Sequence, residues 1–225
     1  MSTAERAFAC APLQRFNLLP SLDLHPSRSA LWLPDQAAAA DWRAAPAAAR
    51  KWHRQWSALL LERLQADARP VDDLSHAATP LALAAPALLQ ATARHAGVLL
   101  LGRNLRLRIA RSEVHAAQQA LGRAAWDWVC EQGAALHPGL ADARPWMDQG
   151  LAAGADLLGA GLLAQSWHEA PAPLRRRADW KLPLEAESPA AREASGMSPP
   201  QACSLCLQIL HFLEPEWPSS FPTIH

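Results

Sequence analysis

Apolar residues recur along most of this chain at helical spacing, in blocks separated by prolines, glycines and charged turns. The clearest stripe is Trp52, Trp56, Leu59, Leu60 and Leu64, whose three- and four-residue steps put all five on one side of a helix. Pro46 stands upstream and suits a first helical turn. Arg50, Lys51, Arg54 and Glu62 make the wet side, and DARPVDD at 67–73 ends the helix in a loop. Before it, prolines at 12, 20, 26 and 34 predict irregular chain with short turns, packed in part through Phe16, Leu18, Leu19, Leu22 and Leu24. Asp35 is placed to cap a short helix through 37–40 and Trp42,.

Thr79 and Pro80 read as an N-cap followed by a first-turn proline,. The helix they open runs through LALAAPALLQATARHAGVLLLG, and Pro86 should kink or restart it,. Residues 104–109 alternate polar and apolar. A strand fits that pattern but has nothing to pair with among helical neighbours, so the reading is helix. Ser112 is placed to cap a helix through Glu131 with Val114, Leu121, Ala125, Trp128 and Val129 facing the core, stopped by Gly133 and HPG at 137–139,. Pro145 opens another helix, through Leu151, Leu157, Leu158 and Leu162 to Trp167. Its glycines at 150, 154, 159 and 161 each lower helix propensity by about 1 kcal/mol relative to alanine,. They also let a second helix approach closely, which places this segment at the centre of a bundle.

PAPLRRRADWKLPL predicts a short helix or turn and then extended chain. Residues 185–200 are polar and proline-bearing, the composition of a flexible linker,. Ser198 then caps a last helix, CSLCLQILHFL, and three prolines stop the tail EPEWPSSFPTIH from continuing it. The pattern is all-α: an irregular bundle of about seven or eight helices. It divides into a main helical domain at 1–184, a flexible linker at 185–200, a C-terminal helix at 201–213 and a proline-bearing tail at 214–225.

Charge narrows the function classes. Lys+Arg and Asp+Glu are both 21 in the 225 residues. A dedicated nucleic-acid binder carries a basic excess, because phosphate neutralisation supplies most of its affinity. The start, MSTAERAFACAPLQRF, lacks a basic segment followed by an apolar run, and the apolar stretch at 150–164 is too short to span a bilayer and holds Asp156,. Both point to a cytoplasmic protein without membrane insertion. Cys10, Cys130, Cys203 and Cys206 are scattered and suggest no disulfide framework,.

Candidate chemistry is sparse. Cys203 and Cys206 form a CxxC with His211 beyond, but zinc needs a second pair and none exists,. On a helix the two thiols stand one turn apart as small apolar residues. None of the nine histidines forms HExxH, and GxSxG, GxGxxG and phosphate-cradling loops are absent,. No catalytic, cofactor or metal residue is therefore expected. The arginines differ. From Arg94 to Arg123 the chain has six arginines and one acid, Glu113. Such a run is either a solvated face or a docking surface for an acidic partner. Arg103, Arg106, Arg108 and Arg111 are the candidate contacts; Arg175, Arg176 and Arg177 either extend the patch or stand apart. The absence of interleaved aromatics argues against a single-stranded nucleic acid.

The order of segments resembles a known family. RHAGVLLLGRNLRLRIARSEVHAAQQALG at 94–122 is similar to the central region of the SctK proteins of type III secretion systems. So are PWMDQGLAAGADLLGAGLLAQSW at 145–167, LRRRADWKLPL at 174–184, and FNLLPSLDLHPS at 16–27 near the start. These pieces make up about a third of the chain. The resemblance implies a mostly helical, non-enzymatic protein of the sorting platform beneath the injectisome's inner-membrane ring. Its partners would be a ring protein of the SctD type and a pod protein of the SctQ type, through which the export ATPase assembly is tied to the base. Other readings open at this point are a secretion chaperone or regulator, an enzyme with a dispersed site, and a helical nucleic-acid binder.

Overall fold

The computed structural model describes residues 3–32 and 46–221, and every regular element among them is helical. In order these are α1 (Thr3–Leu18), α2 (Pro26–Trp32), α3 (Pro46–Leu64), α4 (Thr79–Leu83), α5 (Pro86–Arg106), α6 (Arg111–Leu121), α7 (Arg123–Trp128), α8 (Ala134–Leu136) and α9 (Arg144–Met147). There follow α10 (Leu151–Ser166), α11 (Ala172–Asp179), α12 (Pro189–Glu193), α13 (Pro199–Leu213) and α14 (Glu216–Ser219). A π turn, Val129–Gly133, joins α7 to α8. Eight of these helices have seven residues or more, and the architecture is an all-α irregular multi-helix bundle.

The centre is the α5–α10 pair, and glycine makes it. An added Cβ at Gly159 would overlap the Ala93 carbonyl, and one at Gly97 would overlap the Ala155 carbonyl. Backbone meets backbone reciprocally there, so the helix propensity lost at these positions is exchanged for contact no larger residue permits. Around the seam Leu99, Leu100, Leu101, Leu158, Leu162, Leu163 and Trp167 are buried. α13 packs on both helices through Leu205, Cys206, Ile209 and Leu210. Its start is a capping box, as Ser198 predicts: the Ser198 N–H donates to Gln201 Oε1 at 3.0 Å,.

α3 sits at the edge over a separate small cluster of Trp56, Leu60, Leu64 and Trp180. Only part of its predicted stripe is covered; Trp52 and Leu59 remain on the exposed flank. The loop after α3 and the restart at Pro86 fall where the prolines and charges place them.

Four expectations are corrected. Residues 3–32 are largely helical rather than irregular: Pro12 lies inside α1, and Pro26 is the first residue of α2. Proline at a helix start presets φ and sacrifices a donor that would be unpaired anyway. Residues 185–200 are not a loose linker. They make a 3-10 turn, Leu184–Glu187, and then α12, with Ala186 and Ala191 buried and Ala191 seated against Gly161 of α10. Gln165 Nε2 also donates to the Met197 carbonyl at 3.3 Å. The single helix expected over 112–131 breaks at Gly122, and Ser112 lies inside the first turn of α6, whose N-cap is Ala110. The helix expected from Pro145 divides at Gly150 into α9 and α10. The short helix expected after Asp35 lies outside the described residues. No helix among those described is long and apolar enough to cross a membrane.

Candidate interaction surface

The first arginine group gathers at one corner of the molecule. Val98 to Leu101 bury the middle of α5, and Leu105 is its last buried residue. The chain then turns: the Arg108 N–H bonds the Leu105 carbonyl at 3.1 Å, and the Val114 N–H bonds the Ala110 carbonyl as α6 begins. Helix therefore holds the first half of the alternating segment and a turn holds the second. Leu107 is 73% exposed and Ile109 is 90% exposed. Arg103 and Arg106 occupy the last turn of α5, where positive charge complements the helix dipole,. The HPG turn buttresses them from behind. Leu140 N–H donates to the Leu100 carbonyl at 2.7 Å, and an Arg106 Nη2 donates to the Pro138 carbonyl at 3.2 Å. Gly139, at φ +87°, lies so close that a Cβ there would meet the backbone nitrogen of Arg103.

The corner is charged without being neutralised. Among the described residues none of Arg103, Arg106, Arg108 and Arg111 makes an ion pair. The outer arginines of the same run do: Arg94 pairs with Asp156, and Arg123 with Asp127 at 3.5 Å. Arg103, Arg106, Arg108 and Arg111 thus flank two exposed aliphatic residues along the chain, Leu107 and Ile109.

The second group stands apart. The Lys181 ammonium donates to the Ala84 carbonyl at 2.9 Å, which puts the end of α11 beside the start of α5. The corner is at the other end of that 21-residue helix, about 30 Å away. Arg175 donates to the His168 carbonyl at 2.8 Å, and Arg176 lies 3.8 Å from Asp67. Arg177 is 2% exposed and donates to the carbonyls of Asp67, Ala68 and Pro173 at 3.2, 2.8 and 3.0 Å. Burial holds its pKa below the usual arginine value. It is an internal tie between α11 and the end of α3, not an outward contact, because the apolar stripe of α11 turns that position inward.

Other polar groups are structural in arrangement. Cys203 and Cys206 are both buried on α13; burial pushes the Cys203 thiol up to about 11 and the Cys206 thiol well above its ordinary value. Thiols so raised are poor nucleophiles and ligands. No group of three metal-ligating side chains forms among the described residues. Sequence reasoning missed a buried charge network that binds the N-terminal segment to residues 181–187. Arg28 Nε donates to the Leu182 carbonyl at 2.7 Å and its Nη2 lies 2.5 Å from Glu187. Asp23 pairs with Arg15 and lies 3.5 Å from the Lys181 ammonium, whose pKa burial lowers to about 8. The one signal for it is that Lys181 is one of only two lysines in the chain. Also missed was the exposure of Leu107 and Ile109, for which the sequence carries no local sign.

No family model, no curated protein and no solved structure matches this chain.

Proposed function

We propose that the protein is a non-enzymatic cytoplasmic adaptor of a type III secretion system. In this reading it joins an inner-membrane ring protein of the SctD type to a pod protein of the SctQ type by protein–protein contacts. It would sit at the cytoplasmic face of the inner membrane through the secretion apparatus, without inserting in the bilayer. The name of the system rests on the ordered likeness of segments 16–27, 94–122, 145–167 and 174–184 to SctK proteins. The observation that carries an interaction role is the α5–α6 corner: four arginines with no ion pair among the described residues, next along the chain to exposed Leu107 and Ile109.

The physical support is specific. A guanidinium is a planar fork that can grip a carboxylate with two parallel bonds. Interfaces draw most of their energy from a few desolvated anchors, with charges at the rim setting approach and register. Leu107 and Ile109 can serve as anchors, and the arginines as the rim. The partner surface this fits is acidic around an apolar depression. A nucleic acid fits less well, since no aromatic side chain stands at 103–111 to stack on bases and the chain has no net charge,.

The test is binding of Arg106→Glu/Arg108→Glu protein to purified ring and pod proteins. Loss of affinity for at least one, with the helical circular-dichroism spectrum retained, is the expected result. Unchanged affinity for both removes the corner from the interface, and recovery of neither partner from assembled machinery removes the adaptor reading.

A further inference from the structure

The opposite end of α5 carries an apolar groove. α1, the α4–α5 junction and the α14 region enclose about 570 Å3. That is the size of a site that accepts several side chains of a partner or a small ligand. Pro12, Leu83, Leu88 and Trp217 line it, and Glu214 and Glu216 stand on its wall. Asp23 and Arg15 also line it but are paired with one another. Glu214 and Glu216 have no ion pair among the described residues. The zero net charge of the chain therefore conceals two poles: a basic corner with protruding aliphatics, and an apolar groove with unpaired carboxylates.

We propose that the corner of one copy seats in the groove of a second copy, so that the protein associates head to tail. Leu107 and Ile109 would enter against Leu83 and Leu88, and the guanidinium groups would reach Glu214 and Glu216. Both halves of the match, charge and apolar surface, lie on one polypeptide and at opposite ends of one helix. A corner cannot reach its own groove across about 30 Å. Because the two surfaces differ, the contact is heterologous, and it builds rings or open chains rather than a closed two-fold dimer. The inference rests on the corner being a docking surface, but not on which secretion proteins the adaptor joins.

Sedimentation velocity of the full chain across a wide concentration range tests it, with two variants made at exposed or rim positions. Leu107→Ser/Ile109→Ser removes the anchors and leaves the groove; Glu214→Lys/Glu216→Lys spoils the groove and leaves the corner. Wild-type protein should grow beyond dimer as concentration rises. Each variant alone should lose every species above monomer while keeping its helical spectrum. An equimolar mixture of the two should recover a dimer and nothing larger, since it supplies one intact corner and one intact groove. Wild-type protein that stays monomeric throughout, or that stops at dimer, overturns the proposal. So does Glu214→Lys/Glu216→Lys protein that assembles like wild type. If wild type is monomeric while Leu107→Ser/Ile109→Ser loses capture of a ring or pod protein, the adaptor reading stands and the self-assembly falls.

Discussion

Arg177→Ala strips the Asp67, Ala68 and Pro173 carbonyls of the guanidinium that bridges them. Losing several charge-assisted bonds at a buried position costs about 3 kcal/mol. Arg108→Ala, at a residue with no ion pair among the described residues, should change stability by less than about 0.5 kcal/mol,. Urea unfolding of the two variants checks the contrast. Asp179 offers a second measurement. Burial raises its carboxyl to about 6 from an ordinary 3.8, assisted by Glu187 and opposed by Arg28, Arg175 and the Trp167 indole, which donates to Oδ1 at 2.8 Å. The fold prefers the protonated acid, so this group's contribution is full below the ordinary value, declines as pH rises, and is lost above about 6,. Asp179→Asn keeps an acceptor for the indole and removes the charge. Its unfolding free energy above that pH should rise by about 2 kcal/mol relative to wild type. A variant less stable than wild type at pH 8 would contradict this account. Histidines 25, 53, 95 and 137 pull the other way. Burial lowers each below 6.5, so the stability they favour is present above that value and fades as pH falls through it,.

At the level of helices, the α5–α10 seam carries the sharpest expectation. Gly159→Ala forces a Cβ onto the Ala93 carbonyl, backbone that no rotamer change can move aside. Despite alanine's better helix propensity, the variant should lose about 3 kcal/mol or more and show a lower Tm. This seam was legible in the sequence because four glycines inside an otherwise helical, apolar pattern have few physical explanations besides close approach. The capping box at Ser198 and the restart at Pro86 were legible for the same kind of reason: each is a local signal that tertiary contacts reinforce. Residues 185–200 were not. Their polar and proline content matches a linker, while the feature that orders them is two small alanines fitting against Gly161 and its surroundings, a match between distant segments that composition does not encode. Replacing 185–200 with a Gly/Ser linker of equal length should therefore lower Tm, by uncovering that side of α10. The N-terminal helices escaped for a related reason. Pro12 and Pro26 argue for irregular chain one residue at a time, whereas burial of Phe16 and the Arg28 and Asp23 ties reward a compact helical arrangement.

For the molecule as a whole, the arginine run showed where charge concentrates but not which charges face outward. Arg94 and Arg177 have partners inside the fold and Arg123 pairs with Asp127 on the surface, and only packing separates these from Arg103, Arg106, Arg108 and Arg111. Periodicity could not assign Leu107 and Ile109 to solvent, because an apolar residue next to a helix is ordinarily core. A salt series distinguishes the parts these residues play. Binding to an acidic partner through the corner should weaken as ionic strength rises, chiefly in the association rate. Ile109→Ser should instead lower affinity at every salt concentration, through faster dissociation. Equal salt dependence of the wild type and Arg106→Glu/Arg108→Glu proteins would show that these guanidinium groups do not steer the encounter.

The reciprocal contact of Gly97 with Ala155 and of Gly159 with Ala93 has a mechanical corollary. Where a carbonyl rests on a bare Cα there is no side chain to re-seat, so neither helix can slip along the other by a fraction of a turn. α5 is thus held against α10 at mid-length, and an axial load on either of its tips is passed to α10 instead of being taken up by sliding.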